Sequence, residues 1–315
     1  MPLGASGTPL EVVAGTGQPR RRSRRLADKG AGALFRASSL LSAVVLLGIL
    51  LFLLLYGVRT FRDVPVLRFL FGAVWNPDAY GEPSFGLVPL LLGTLLSTAI
   101  ALIVGVPFGI ASAILIAERL KGWVRVTAKT MVELFAWFPS VVIGFFGLVV
   151  LAPLIGRVFH VQSGLNLLNA GLLLGLMSLP TIVSVTEDAL RVVPHSYREA
   201  AYALGATPWT TAWRVVLPAA RSGILAAIML GFGRAVGETM AVMMVAGNAP
   251  LIPHSLFDPI RTITSTIAIE LGESAFGSSH YHALFALGLV LFLIALGTNL
   301  IAESLIKREK RSFTL

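Results

Sequence analysis

Two opposite charges lie inside a long apolar segment in the second half of the chain. Arg234 and Glu238 are four residues apart, a spacing that puts both side chains on one face of a continuous helix. Each charge buried in a membrane-spanning helix costs about 2.5–3.5 kcal/mol, and such residues usually mark the path of an ion or polar solute. We therefore predict that Arg234, Glu238 and the following Thr239 line a pathway, with Arg234 favouring an anion. The alternative is that the pair only locks helix packing.

Small residues accompany these charges. Gly233, Gly237 and Ala241 recur every four residues and would form a stripe along the same helix. Such stripes let neighbouring helices approach closely within a membrane. We therefore predict that these three residues pack against another helix.

The composition indicates a lipid-embedded protein. Of 315 residues, 56% are hydrophobic and 13% are charged, and the mean hydropathy is +0.82; soluble domains have about 25% charged residues. The chain contains no cysteine, which excludes thiolate catalysis and cysteine-based metal sites. Six apolar runs reach the roughly 20 residues that cross a bilayer as helix. They cover residues 34–58, 86–117, 130–155, 167–186, 222–246 and 281–306. The sequence therefore predicts an all-α membrane protein with six transmembrane helices.

Charges between the runs predict the orientation of the chain. Residues 1–33 are rich in Gly, Pro, Ser and Arg and are predicted to form a disordered basic tail. If this tail is cytoplasmic, 19 of the 25 Lys and Arg residues fall on the cytoplasmic side and five on the other. This bias follows the positive-inside rule, so both termini are predicted to be cytoplasmic. The net charge of +9 is explained by this placement, and we do not expect nucleic-acid binding.

The predicted cytoplasmic loop over residues 187–221 has strong helix signals. Ser196 and Glu199 fit a capping box, and Gly205 is placed to end the short helix that follows. Thr207 and Pro208 then supply an N-cap and a first-turn proline for a second short helix. The loop is therefore predicted to form a helix–glycine–helix unit.

This loop resembles the EAA loop of ABC importer permeases. The resemblance lies in Glu199-Ala200-Ala201, Gly205 and Val215-Val216-Leu217-Pro218, with Val215 where the family has Ile. It implies that the loop docks into a separate ATPase, with the contact made by Glu199, Ala200, Ala201, Leu204, Gly205 and Ala206. The chain has no Gly-Lys-Ser/Thr sequence, so ATP and Mg²⁺ would be bound by the partner and this chain is not expected to be an enzyme.

A wider resemblance covers about residues 70–306. The segments 85–94, 138–148 and 233–241 together resemble the PstC-type permeases of bacterial phosphate importers. The resemblance implies a type I (MetI-like) ABC importer permease fold in the bacterial inner membrane. It also implies four kinds of partner: a PstA-like permease, an ATPase dimer, an extracytoplasmic phosphate-binding protein and inorganic phosphate itself.

Three alternatives remain at this point. The chain could be the PstA-type paralogue, or a permease for another oxyanion such as sulfate, molybdate or a phosphonate. From another class, a secondary transporter could use Arg234 and Glu238 for ion coupling, although the EAA spacing argues against this. Glu133 is expected at the membrane interface. His280 and His282 lack the further ligands that a metal site needs, so no metal site is predicted.

Overall fold

The computed structural model describes residues 20–79 and 82–312, and the chain divides into two units, residues 1–52 and 53–315. Helix α1 (Arg20–Gly57) occupies the described part of the first unit. Its apolar side chains from Leu34 to Phe52 are almost all exposed, as expected for a lipid-facing span. The structure thus places residues 20–33, predicted to be disordered, in a helix, while residues 1–19 lie outside the described part.

In its described residues, the second unit consists of helices and connecting loops with one small β-hairpin. After a 3₁₀ turn (Val58–Arg62) come α2 (Val66–Phe71) and the antiparallel strands β1 (Trp75–Asn76) and β2 (Ser84–Phe85). The remaining helices are α3 (Val88–Ile114), α4 (Gly122–Ala136), α5 (Ser140–Phe146), α6 (Ala152–Phe159), α7 (Leu167–Val192), α8 (His195–Ala203), α9 (Pro208–Thr211), α10 (Leu217–Ala219), α11 (Arg221–Gly237), α12 (Met240–Val245), α13 (Ile263–Glu270) and α14 (Ser279–Ser312). Single π-helical turns extend α3 to Arg119, join α5 to α6 over Gly147–Leu151, and join α9 to α10 over Ala212–Val216.

Five helical segments of the described chain are long and apolar enough to cross a membrane. They are Leu34–Arg62, Val88–Arg119, Ser140–Phe159, Leu167–Val192 and Ser279–Ser304. A sixth crossing is obtained if Pro208–Ala219 and Arg221–Gly237, which meet at an angle of 74°, count as one bent span. This agrees with the predicted all-α fold of six spans.

The third predicted span is not one helix. Helix α4 ends at Ala136 and α5 begins at Ser140, so the run 130–155 is interrupted at Trp137–Pro139. Pro139 lacks the N–H that a helix interior needs and disfavours helical geometry in the residue before it. The prediction of an unbroken helix over 130–155 is therefore wrong. By contrast, α3 continues through Pro107 and reaches Arg119 with its π-helical turn.

The centre of the second unit is the contact between α3 and α7. Both helices carry glycines four residues apart, at 105 and 109 in α3 and at 171 and 175 in α7. A Cβ added to Gly109 would lie 2.6 Å from Cγ2 of Ile182, and one added to Gly171 would lie 2.5 Å from Cβ of Ile100. The missing side chains therefore allow a close crossing, around which the other helices pack.

Among the five candidate spans, helix α7 has the largest share of buried residues. Leu173, Leu174 and Met177 lie in one apolar cluster with Val242 and Val245 of α12. Further along α7, Val183 and Leu190 pack with residues of α3, α10 and α11 in a second cluster. The two clusters fix the positions of α11 and α12, which carry the predicted pathway residues.

Candidate functional site

The fifth apolar run is broken between Arg234 and Thr239. Helix α11 ends at Gly237, Glu238 has an extended backbone with ψ 128°, and α12 starts at Met240. Arg234 and Glu238 therefore do not share the face of a continuous helix, and that prediction is wrong. Within the described residues, no ion pair joins their side chains.

Glu238 stabilises the break itself. Its Oε1 accepts a hydrogen bond of 3.2 Å from the backbone N–H of Ala241, in the first turn of α12. Its carbonyl oxygen accepts from the hydroxyl of Thr264, at 3.0 Å, across from α13. The hydroxyl of Thr239 donates to the carbonyl oxygen of Gly237, at 3.3 Å. The carboxylate is thus already held by its own helix terminus.

Arg234 has a different environment. It lies half-buried in the last turn of α11, and its Nε is enclosed without a hydrogen-bond acceptor in the described part of the chain. A buried donor left without a partner costs about 1–3 kcal/mol and calls for an explanation. Because the Glu238 carboxylate is engaged elsewhere, Arg234 has no ion-pair partner among the described residues.

The three predicted packing residues differ in their contacts. Ala241 is fully buried against α5, where a Cβ added to Gly144 would lie only 2.9 Å from the Cα of Ala241. A Cβ added at Gly233 or Gly237 would meet nothing within 4 Å. Both glycines instead border a cavity of about 300 Å³ between α11 and α14. The structure therefore gives Ala241 a packing contact and leaves Gly233 and Gly237 without one among residues 20–79 and 82–312.

The predicted coupling residues lie on the unit formed by α8 and α9. Glu199 and Ala200 are exposed, Ala206 is half-buried, and Ala201 is buried against the chain itself. Leu204 is 90% exposed, which is unusual for a leucine outside lipid. The surface available to a partner is therefore formed by Leu204 and its exposed neighbours rather than by Ala201.

Glycine and threonine shape this unit largely as predicted. Gly205 has a φ of +79°, a left-handed conformation that glycine adopts without strain. Thr207 caps α9 by accepting from the N–H of Thr210 at 3.2 Å, with Pro208 in the first turn. The capping box is wrong, because α8 starts at His195 after Pro194 and no side chain caps it. The helix begins at His195, one residue before Ser196, and Pro194 occupies the N-cap position.

Arg198 attaches this unit to the spans and was not anticipated from the sequence. Its Nη2 lies 2.7 Å from Glu118 Oε1, in the turn that ends α3, and 2.9 Å from the carbonyl oxygen of Leu190. Its Nη1 lies 2.8 Å from the carbonyl oxygen of Val193, just past the end of α7. The coupling unit is thus tied by one side chain to the ends of two central helices.

A second ionic group joins α4 to α7. Glu187 is fully buried and receives Arg125 and Lys129, the latter at 2.7 Å. Glu133 lies at the edge of this group, where it accepts from the hydroxyl of Ser184 at 3.3 Å. The signal in the sequence was the spacing of Arg125 and Lys129 by four residues, which puts both cations on one face of α4.

A third polar group lies around Glu270 at the end of α13. Its carboxylate receives Arg261 at 2.6 Å, His280 at 2.9 Å and the indole N–H of Trp75 at 3.0 Å. His280 is therefore held by Glu270 rather than directed at His282. Among the described residues, no group of three or more His, Cys, Asp or Glu side chains could hold a metal ion.

Comparisons with known proteins cover most of the chain. Residues 105–311 match the family described as binding-protein-dependent transport system inner membrane component. A Bacillus subtilis protein named probable ABC transporter permease protein YqgH is 35% identical over 92% of this chain and 94% of its own length. Proteins named phosphate transport system permease protein PstC are 38% identical in Pasteurella multocida, over 77% of this chain and 80% of theirs, and 39% identical in Mesorhizobium japonicum, over 88% and 90%.

Solved structures show the same fold. A chain from a bacterial ABC transporter involved in the import of the acidic polysaccharide alginate superimposes with a TM-score of 0.59 at 17% identity, covering 90% of this chain and 99% of that one. A chain of the MetNI methionine ABC transporter superimposes with a TM-score of 0.50 at 21% identity, covering 70% and 94%. The arrangement of helices is thus that of type I ABC importer permeases.

Proposed function

The chain belongs to the family of inner membrane components of binding-protein-dependent transport systems, and we propose that it is the permease subunit that carries inorganic phosphate through an ATP-driven importer. In this proposal it forms the translocation pathway with a second, PstA-like permease. An extracytoplasmic phosphate-binding protein delivers the substrate. ATP and Mg²⁺ are bound by a separate ATPase dimer.

The observation that carries the proposal is the unpartnered Nε of Arg234 beside the break in the fifth span. A guanidinium offers planar, paired donors that match two oxygens of a phosphate group. Among the described residues Glu238 forms no ion pair with it, and that carboxylate caps α12 instead. A charged side chain inside a membrane span is the kind of residue that marks the path of an ion or polar solute.

The substrate class is supported by the names of two relatives. They are 38% and 39% identical to this chain over 77% and 88% of its length. Phosphate is the ligand in those names, and Arg234 supplies chemistry that fits it. Sulfate or molybdate would use the same guanidinium, so they are the alternatives that the experiment must separate.

The coupling unit supplies the link to ATP. Leu204 projects into solvent beside the positive-φ turn at Gly205, so a cleft of a partner could enclose it. Closure of the ATPase dimer on ATP would draw the coupling units of the two permeases together. The movement would open the cavity toward the binding protein, where phosphate is received.

The test is transport by the reconstituted complex in proteoliposomes, with labelled phosphate and with sulfate or molybdate as competitors. Loss of charge-assisted hydrogen bonds worth about 1.5–3 kcal/mol predicts that Arg234→Gln lowers uptake by about 10- to 100-fold. The double variant Arg234→Gln/Glu238→Gln should be as impaired as Arg234→Gln, because the two side chains form no ion pair with each other. Arg157→Gln, which changes an exposed arginine of α6, is the matched control and should transport normally.

Two results would contradict the proposal. Near-normal phosphate uptake by the assembled Arg234→Gln complex would remove Arg234 from the pathway. Efficient inhibition of uptake by sulfate or molybdate at concentrations similar to phosphate would assign the importer to another oxyanion.

A further inference from the structure

The break in the fifth span leaves a backbone carbonyl outside any helix. In a continuous α-helix the carbonyl oxygen of residue 238 would accept from the N–H of residue 242. Here the hydrogen-bond pattern of α12 begins one residue later, from Met243 N–H to the carbonyl oxygen of Thr239 at 3.0 Å. The carbonyl of Glu238 receives the hydroxyl of Thr264 instead, at 3.0 Å. A side chain 26 residues further on thus replaces the missing helical bond.

Thr264 is fixed by other hydroxyl groups. It is buried, and its hydroxyl also lies 3.0 Å from that of Thr262, which caps α13. The neighbouring N–H of Ile263 donates to the hydroxyl of Thr94, in α3, at 3.0 Å. The first turn of α13 is therefore attached on one side to a central span and on the other to the break.

The opposite end of α13 is also fixed. Glu270, its last residue, binds Arg261, His280 and Trp75 on elements of the predicted extracytoplasmic side. The helix has eight residues, so only about 12 Å separate its two ends. A short, rigid helix thus joins the loops outside the membrane to the break at Glu238.

We propose that Thr264 is the positioning residue of the transport pathway. Its hydroxyl holds Glu238 in the extended conformation that separates α11 from α12 and thereby sets where Arg234 stands. This inference rests on the proposed function, because it assigns the break to the pathway for an oxyanion. Thr264 itself does not touch the substrate.

The experiment compares three variants in the reconstituted complex. Thr264→Val keeps the shape of the side chain and removes the donor, whereas Thr264→Ser keeps the donor. The control is Thr266→Val, because Thr266 is also buried and its hydroxyl donates to the carbonyl oxygen of Thr262, the N-cap of the same helix, at 2.9 Å. We expect Thr264→Val to lower maximal phosphate uptake by about tenfold, the size that loss of one buried hydrogen bond produces. Thr264→Ser and Thr266→Val should stay within about twofold of the parent.

A second experiment measures the accessibility of the backbone break at Glu238 and does not depend on phosphate. The chain has no cysteine, so single cysteines report local accessibility to a thiol reagent without background. Gly237→Cys lies at the break and Gly233→Cys one turn earlier, and a Cβ has free space at both positions. Thr264→Val should change the labelling rate at position 237 by about fivefold or more and leave position 233 unchanged, since only the break loses its bond.

The outcomes separate the two proposals. If Thr264→Val alters labelling at position 237 while the parent complex transports no phosphate, the positioning role stands and the substrate assignment fails. The positioning role is overturned if Thr264→Val transports phosphate at the parent rate and leaves the labelling rate of the cysteine at position 237 unchanged. Equal losses in Thr264→Val and Thr266→Val would also overturn it, because the effect would then be general destabilisation of α13.

Discussion

Arg198→Ala should loosen the coupling unit while leaving the spans in the membrane. The guanidinium of Arg198 contacts three acceptors on two other elements: the Glu118 carboxylate and the carbonyl oxygens of Leu190 and Val193. The carbonyls at the end of α7 have no partner inside their helix. Alanine would leave all three acceptors without this donor.

The size of the effect follows from burial. The side chains of Arg198 and Glu118 are 12% and 13% exposed, so water screens their attraction only weakly. Removing one partner of a buried ion pair costs about 3–5 kcal/mol. The residual exposure favours the lower end of that range. About 3 kcal/mol corresponds to roughly a hundredfold fall in the fraction of molecules with the coupling unit docked.

The assay combines thermal unfolding of the purified complex with stimulation of its ATPase by substrate-loaded binding protein. Arg198→Ala should lower the unfolding temperature and abolish stimulation while basal ATP hydrolysis continues. Arg198→Lys keeps the charge without the planar fork and should be intermediate. Arg214→Ala, which removes an exposed arginine from the same loop, should behave like the parent. Unchanged stability and stimulation in Arg198→Ala would refute the reasoning.

Two further predictions concern packing and docking. Gly144→Val would place a Cβ 2.9 Å from the Cα of Ala241 and should lower thermal stability by about 1–3 kcal/mol. Gly156→Val, where a Cβ has 3.5 Å to its nearest neighbour, is the control, and equal losses would argue against a special contact. Leu204→Asp should leave the stability of the chain unchanged, since the side chain is 90% exposed. It should prevent the ATPase from co-purifying, and normal co-purification would remove Leu204 from the contact.

The spans and the coupling unit were predictable because their signals are local. Apolar length marks a crossing of the membrane, and Gly205, Thr207 and Pro208 specify a turn and a helix start by their own conformational preferences. The same locality explains the error at Ser196. The Ser–Glu spacing fits a capping box, but Pro194 starts the helix earlier, and local sequence alone does not rank the two signals.

The break at Glu238 was not predictable in this way. No proline interrupts residues 222–246, and glycines such as Gly237 are common in membrane helices, so the local sequence does not mark the break. What stabilises the break is the hydroxyl of Thr264 and the capping of α12 by the Glu238 carboxylate. One of these partners is distant in the sequence, so only the tertiary structure reveals it. Arg198 was missed for the same reason, since its partner Glu118 is 80 residues away.

The two interrupted spans meet at one place. Helix α5, which starts after the break at Pro139, packs its Gly144 against Ala241 of α12, which starts after the break at Glu238. Backbone that leaves helical geometry at membrane depth is tolerated only where protein or a water-filled cavity surrounds it. At these two breaks the surrounding protein includes the packed contact between Gly144 and Ala241.

Helix α11 connects the coupling unit to the break at Glu238. It begins at Arg221, directly after the 74° bend that follows the coupling unit, and ends at Gly237, beside the break. Its 17 residues span about 25 Å, and Gly223 and Gly231 let it lie close against Ala189 and Ile182 of α7. A helix held this closely moves as a rigid rod. We therefore expect a displacement of the coupling unit by a partner to reach Arg234 and the break along α11.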